Sequence, residues 1–359
     1  MYIEKLSLKD YRNIEKLNIE LSKNVNIFYG DNAQGKTNIL ESMFMCATGR
    51  SQRTHIDREL IRFGCDSSHI QMTVNKDSYR DRIDIHLKSR EKKGVAVNSI
   101  VVRKLGDLFG TVNIVLFSPE DLMLVKEGPS YRRRYMDMEL CQISKIYYSN
   151  LQRYYRVLKE RNNVLKKCNE NRSILDTLDI WDIQLVDYGI KIMQSRKRFI
   201  SMLNDIGQKI HSKITDNSER LTIEYKPSTS PENFSSRIAN SREKDIYYGS
   251  TSYGIHKDDM AFYINGVNAR EYGSQGQQRT VCLTLKLAEI ELIKNNTGES
   301  PVLLLDDVLS ELDKKRQEFI VNSIDGIQTV ITSTGNDEIL SKAEKNSKIF
   351  YVKNGAVVC

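Results

Sequence analysis

No stretch of this chain is apolar for anything near the ~20 residues that a membrane helix requires, so no spanning segment is expected. The first residues mix Glu4, Lys5, Lys9 and Asp10 among apolar positions, which is unlike a secretory leader. The six cysteines (Cys46, Cys65, Cys141, Cys168, Cys282, Cys359) are scattered, with no C-x-x-C pair and no histidines at ligand spacing. That pattern argues against a disulfide frame and a zinc site, and predicts reduced thiols in a cytoplasmic protein. There are no internal repeats, and no helical pattern long enough for an extended coiled coil.

What is present is an ordinary soluble composition, 40% hydrophobic and 28% charged, in 359 residues. That length predicts two lobes. The net charge is +7, but it is unevenly placed. Residues 131 to 215 hold 17 Lys or Arg against 9 Asp or Glu, so the rest of the chain is close to neutral. This segment is the first candidate for a polyanion surface, with Arg132, Arg133, Arg134, Arg196, Lys197 and Arg198 as candidate DNA contacts.

The stretch Gly30, Asp31, Asn32, Ala33, Gln34, Gly35, Lys36, Thr37 meets every fixed position of the Gly-x-x-x-x-Gly-Lys-Ser/Thr phosphate loop. Residues 24 to 29 predict a buried strand before it, and 37 to 47 a helix after it. A loop so placed aims backbone N–H groups at phosphate, and the helix N-terminus adds partial positive charge. Lys36 is expected to reach the β- and γ-phosphates of ATP, and Thr37 to ligate Mg²⁺.

Alternation predicts strands at 2 to 8, 17 to 21, 69 to 74, 82 to 87 and 95 to 97, and an apolar run predicts another at 112 to 117. The basic loop Gly49 to Thr54 reads either as a solvated connection or as a nucleotide or DNA contact. Two antiparallel helices are expected over 131 to 172 and 174 to 214. The second carries one apolar stripe through Leu178, Trp181, Leu185, Tyr188, Ile192, Phe199, Leu203, Ile206, Ile210 and Ile214. A polar stretch from Tyr225 to Tyr247 then returns the chain to an α/β pattern. The fold expected is α/β: an ATPase lobe split over 1–124 and 246–359, with a basic helical arm inserted at 125–245.

Pro301 to Asp307 reads as an apolar strand ending in two carboxylates. Asp306 is expected to hold Mg²⁺ and Asp307 to position or deprotonate the attacking water. Upstream, Ser274-Gln275-Gly276-Gln277 opens a helix, and Ser310-Glu311-Leu312-Asp313 follows the acidic pair.

Phosphate loop, Ser-Gln-Gly-Gln, Leu-Leu-Leu-Asp-Asp and Ser-Glu-Leu-Asp, in that order, resemble the SMC-like branch of the ABC ATPases. Further stretches are similar to its RecF family of DNA repair proteins: Tyr11-Arg12-Asn13, Phe117 to Leu122, Pro129 to Asp137 and Gly254 to Asp259. The resemblance implies an ATPase lobe with a mixed sheet, and an ATP-dependent homodimer. ATP would sit between Lys36 of one copy and Ser274, Gly276 and Gln277 of the other, and slow hydrolysis would release the clamp. It implies binding to single- and double-stranded DNA at gaps or junctions, assistance to a recombinase, and RecR and RecO as partners, with no membrane. Thr334 falls near the switch histidine of the superfamily. Ser118 and Glu120 occupy the Q-loop region without the usual glutamine, and Ile255 and Lys257 stand where the family often has Pro and Arg. Other readings are a chromosome-organising SMC ATPase, a transporter subunit, and a DNA scaffold that binds ATP without splitting it.

Overall fold

Helix α1 (Lys36–Thr48) is buried on every side: eleven of its thirteen residues are out of solvent. It packs between two sheets, and that position explains a helix with no exposed polar face. The fold is that of a computed structural model, which describes residues 1–76, 79–168, 175, 177–335 and 347–358. Residues 169 to 172, 174 and 176 of the expected helices, and Cys359, lie outside the described residues.

The chain forms two compact units, Met1–Asp121 with Glu289–Cys359, and Leu122–Ala288. The first holds a six-stranded antiparallel sheet in the order β2-β1-β4-β5-β6-β7, from β1 (Tyr2–Tyr11), β2 (Ile14–Glu20), β4 (Ser67–Asn75), β5 (Arg80–Lys88), β6 (Gly94–Val97) and β7 (Ile100–Val101). One face is apolar: Ile3, Leu6, Leu8, Ile70, Met72, Val74, Ile83, Ile85 and Leu87 are buried.

Its second sheet has the order β15-β14-β3-β13-β12-β8, with β3 (Val25–Tyr29), β8 (Ile114–Phe117), β12 (Val302–Asp306), β13 (Thr329–Ser333) and β14 (Lys348–Lys353) parallel. The edge strand β15 (Ala356–Val358) is antiparallel, so the sheet is mixed. Strand β12 is buried throughout, as its unbroken apolar run requires in a parallel sheet. Buried Gln328 joins the two sheets: its amide accepts from Ile3 N at 2.6 Å and donates to the Ile3 and Ser22 carbonyls.

The second unit carries α2 (Met123–Lys126), α3 (Pro129–Ile143), α4 (Lys145–Cys168) and α5 (Leu178–Ile214), the last about 55 Å long at 1.5 Å per residue. The first expected helix is broken at Ser144, whose backbone is extended (φ −145°). In α5 the buried stripe runs through Leu178, Leu185, Ile192, Phe199, Leu203 and Ile214. Helices α6 (Phe234–Asn240) and α7 (Arg242–Tyr248) follow β9 (Leu221–Lys226). Then come β10 (Asp259–Ile264), β11 (Val267–Asn268), α8 (Ala269–Tyr272) and α9 (Gln275–Thr297), of which the part from Glu289 on belongs to the first unit. The unit therefore extends past residue 245 to Ala288, because β9 pairs antiparallel with β10 from Leu221↔Ile264 to Lys226↔Asp259. Helix α10 (Lys314–Ser323) belongs to the first unit and is capped by the Asp313 side chain, which accepts from Arg316 N. Among the described residues no helix is long and apolar enough to cross a membrane.

Candidate functional site

The phosphate loop runs from β3 into α1, as its spacing predicts. Gly30 has φ +152°, and a Cβ there would stand 2.3 Å from the Val352 carbonyl oxygen, so only glycine fits. Lys36 is buried, and its Nζ donates to the carbonyls of Gly30 at 2.6 Å and Asp31 at 2.8 Å. This holds the ammonium against the concave side of the loop.

The acidic strand meets the loop. Thr37 donates its hydroxyl to Asp306 Oδ1 at 2.9 Å, and Thr332 donates to the same oxygen at 2.8 Å. Thr332 Oγ1 in turn accepts from Asp307 N at 2.9 Å. Asp307 has φ 52°, a left-handed conformation that costs a non-glycine residue roughly 1–2 kcal/mol. It is half-buried and lines a cleft of ≈ 370 Å³ with Asn13, Asn32, Ala33, Gly35, Lys36, Thr37, Asn38 and Arg53.

Asp306 is 6% exposed. Burial raises its pKa above the usual carboxylate value; the two threonine hydroxyls lower it, and the Asp307 charge raises it again. A carboxylate and a hydroxyl at the mouth of a phosphate loop form a hard oxygen donor set, and a cation there would offset the burial of Asp306. These residues therefore fit Mg²⁺.

Arg53, from the basic loop, lines the same cleft. Its Nη1 donates to Asn38 Oδ1 at 3.0 Å and lies 3.9 Å from Glu41. Fully buried Glu41 takes a two-pronged contact from Arg12, at 2.9 and 2.7 Å, and a hydroxyl from Ser51 at 2.5 Å. A wider groove of ≈ 740 Å³ shares Asn13, Asn38 and Arg53, and continues past Arg58 and Ile61 to exposed Phe63. Asn13 also donates to the Gln34 carbonyl at 3.2 Å.

Thr334, expected at the switch position, is exposed beyond the end of β13, and among the described residues no hydrogen bond joins it to either aspartate. Thr332 makes those contacts, because it lies opposite Asp306 in the parallel register. Ser118 and Glu120 are not among the cleft-lining residues; Ser118 N donates to Asp121 Oδ2 at 2.7 Å.

Ser274, Gly276 and Gln277 lie in the second unit, and Ser274 and Gly276 are exposed. Gln277 Oε1 accepts from Ser274 N at 2.9 Å, and Ser274 Oγ accepts from Gln277 N at 3.2 Å. This is a capping box, legible as Ser-x-x-Gln. Gln277 also donates to Glu219 at 2.9 Å, which fixes the start of α9.

Two of the six candidate DNA contacts need correction. Arg196 is fully buried, donating to Asp137 at 2.8 Å, Asp258 at 3.0 Å and the Ile255 carbonyl at 2.7 Å. Arg132 is 3% exposed and grips Asp259 with two N–H groups, at 2.6 and 3.0 Å. Buried guanidiniums already committed to carboxylates are parts of the core and not a phosphate surface. Arg134, Lys197 and Arg198 are exposed, and Arg133 is half-buried.

Known proteins resemble this chain over nearly its whole length. The family model of the RecF/RecN/SMC N terminal domain matches residues 2–358. The DNA replication and repair protein RecF of Lachnospira eligens is 52% identical, over 100% of this chain and 99% of that protein. A structure of the recombination mediator protein RecF with ATP, in the RecFOR pathway, superposes with a TM-score of 0.92 at 35% identity, covering 99% of this chain and 97% of the other. An Smc head domain from Pyrococcus furiosus shares the fold at TM-score 0.58 and 14% identity, covering 99% and 95%.

Proposed function

The chain belongs to the RecF family of the RecF/RecN/SMC ATPases, and on that footing we propose that it is an ATP-dependent DNA-binding protein of replication and recombinational repair. The observation that carries this reading is the meeting of Thr37, Asp306 and Asp307 at a complete phosphate loop. Lys36 transfers its hydrogen bonds from the loop carbonyls to the β- and γ-phosphates. The loop amides and the start of α1 take the remaining phosphate oxygens. Thr37 and Asp306 would hold Mg²⁺, which would supply positive charge to offset that of the phosphates. Asp307, in the cleft and fixed by its backbone bond to Thr332, orients a water molecule and accepts its proton. Asn13 and Arg53 line the way toward the wider groove, where the nucleoside extends.

The exposed start of α9 serves a second copy. The Gln275 and Gly276 amides precede the first intrahelical bonds and cap the γ-phosphate held by the partner's loop. ATP thus joins two copies into a clamp on gapped or junction DNA, and slow hydrolysis opens it. The clamp assists recombinase loading in the cytoplasm together with RecR and RecO. The test is equilibrium binding to gapped DNA with ATP, ADP or no nucleotide. Tight binding with ATP alone is expected; equal binding in all three states contradicts the proposal.

A further inference from the structure

The run Gly254-Ile255-His256-Lys257-Asp258-Asp259 is built like a fixed mount for a single side chain. Gly254 has φ +134°, and a Cβ there would stand 2.2 Å from the Tyr154 hydroxyl. Ile255 is fully buried. His256 bonds to the Tyr154 hydroxyl at 2.9 Å and, through Nε2, to the Thr251 carbonyl at 3.0 Å. Asp258 is fully buried; it accepts from Arg196, from Ser228 N at 2.9 Å and from the Tyr225 hydroxyl. Asp259 is held by Arg132. Lys257 alone in the run is exposed, and it has no ion-pair partner among the described residues.

The charges around it leave this point positive. The three carboxylates, Asp137, Asp258 and Asp259, are turned inward onto Arg196 and Arg132. Half-buried Arg133 donates to the Asp258 carbonyl at 2.8 Å, which brings a second cation to the same turn. Three aspartates thus pair with two arginines, and Arg133 and Lys257 add two more positive charges. Burial lowers the His256 pKa to about 4, and the fields of Lys257 and Arg133 lower it too, so the histidine adds no charge but registers both cations. Holding so many buried charges to present one lysine is costly for a solvated turn.

We propose that Lys257, with Arg133 beside it, is a fixed phosphate-contact point for the DNA backbone on the second unit. It rests on the DNA-binding reading above. A lysine is a point charge and reads no bases, so the contact strengthens binding for all sequences alike.

The test uses the full-length protein with ATP and gapped DNA, comparing wild type, Lys257→Glu, Lys257→Ala, Lys257→Arg and the double variant Lys209→Glu/Lys213→Glu. Both control lysines are exposed on α5. Lys257→Glu should weaken DNA binding by about 10-fold or more, with ATP affinity and ATP-dependent dimer mass unchanged. Lys257→Ala should lower the slope of log affinity against log salt by about 0.9 for each phosphate that the protein no longer neutralises. Lys257→Arg should keep binding. Wild-type affinity in Lys257→Glu, or an equal loss in the α5 double variant, overturns this site while the functional reading stands. If wild type itself shows no ATP-dependent DNA binding, that reading falls, and this site with it.

Discussion

Thr37 donates its hydroxyl to Asp306 Oδ1 at 2.9 Å, joining residues 269 positions apart in the chain. This one bond places the end of β12 against the first turn of α1. It turns two separate sequence motifs into one oxygen-lined cleft.

Lys36→Ala should weaken ATP binding by about 10–100-fold, the worth of a charge-assisted contact to phosphate. Calorimetry of the purified variant reads this directly. Unchanged affinity would move the nucleotide elsewhere.

Asp307→Asn should bind ATP normally and lower turnover by about 10²-fold or more, since the amide cannot accept the water's proton. A phosphate-release assay under saturating ATP checks it. Normal turnover would require another base.

Asp306→Asn should raise thermal stability at neutral pH while removing Mg²⁺-dependent hydrolysis. Burial raises the Asp306 pKa, so its charged form opposes folding once the pH rises above the ordinary carboxylate range. An asparagine carbonyl can still accept from Thr37 and Thr332. The gain should shrink as the pH falls toward the ordinary aspartate value. A lower melting temperature at neutral pH in the metal-free variant would show that the charge is stabilising.

The second unit should lose stability in mild acid. His256 titrates near 4 in the fold, against about 6.5 in an unfolded chain. Its contribution, on the order of 3 kcal/mol, is present above pH 6.5 and is lost as the pH falls toward 4. Denaturant titrations between pH 7 and 4, compared with His256→Asn, measure it. An identical pH dependence in the variant would rule the histidine out.

Arg196→Met should destabilise the fold by about 3–5 kcal/mol, because Asp137 and Asp258 lose a buried partner. Lys197→Met should change stability by less than about 0.5 kcal/mol. Chemical denaturation separates the two adjacent cations.

The nucleotide half of this site was legible because it is written in backbone terms. Glycines at Gly30 and Gly35, an apolar β12 and two terminal carboxylates leave few alternatives. Thr332 was not legible, because a strand's register against its neighbour is not local information; the resemblance points instead to Thr334, two residues on. Charge counts also concealed burial. Arg132 finds Asp259, 127 residues later, so a basic run that reads as a DNA surface is partly core. The polar stretch near 225 to 247 resembles a domain boundary, but the β9–β10 pairing carries the second unit on to Ala288.

The central claim is that ATP joins two copies through the loop of one and the α9 start of the other. Light scattering of wild type and Ser274→Arg with ATP, ADP and no nucleotide tests it most directly. A monomer of 41.5 kDa should double in mass with ATP only, and Ser274→Arg should stay monomeric while still binding ATP. A wild-type mass that ignores the nucleotide, or loss of ATP binding in the Ser274→Arg monomer, would contradict the account.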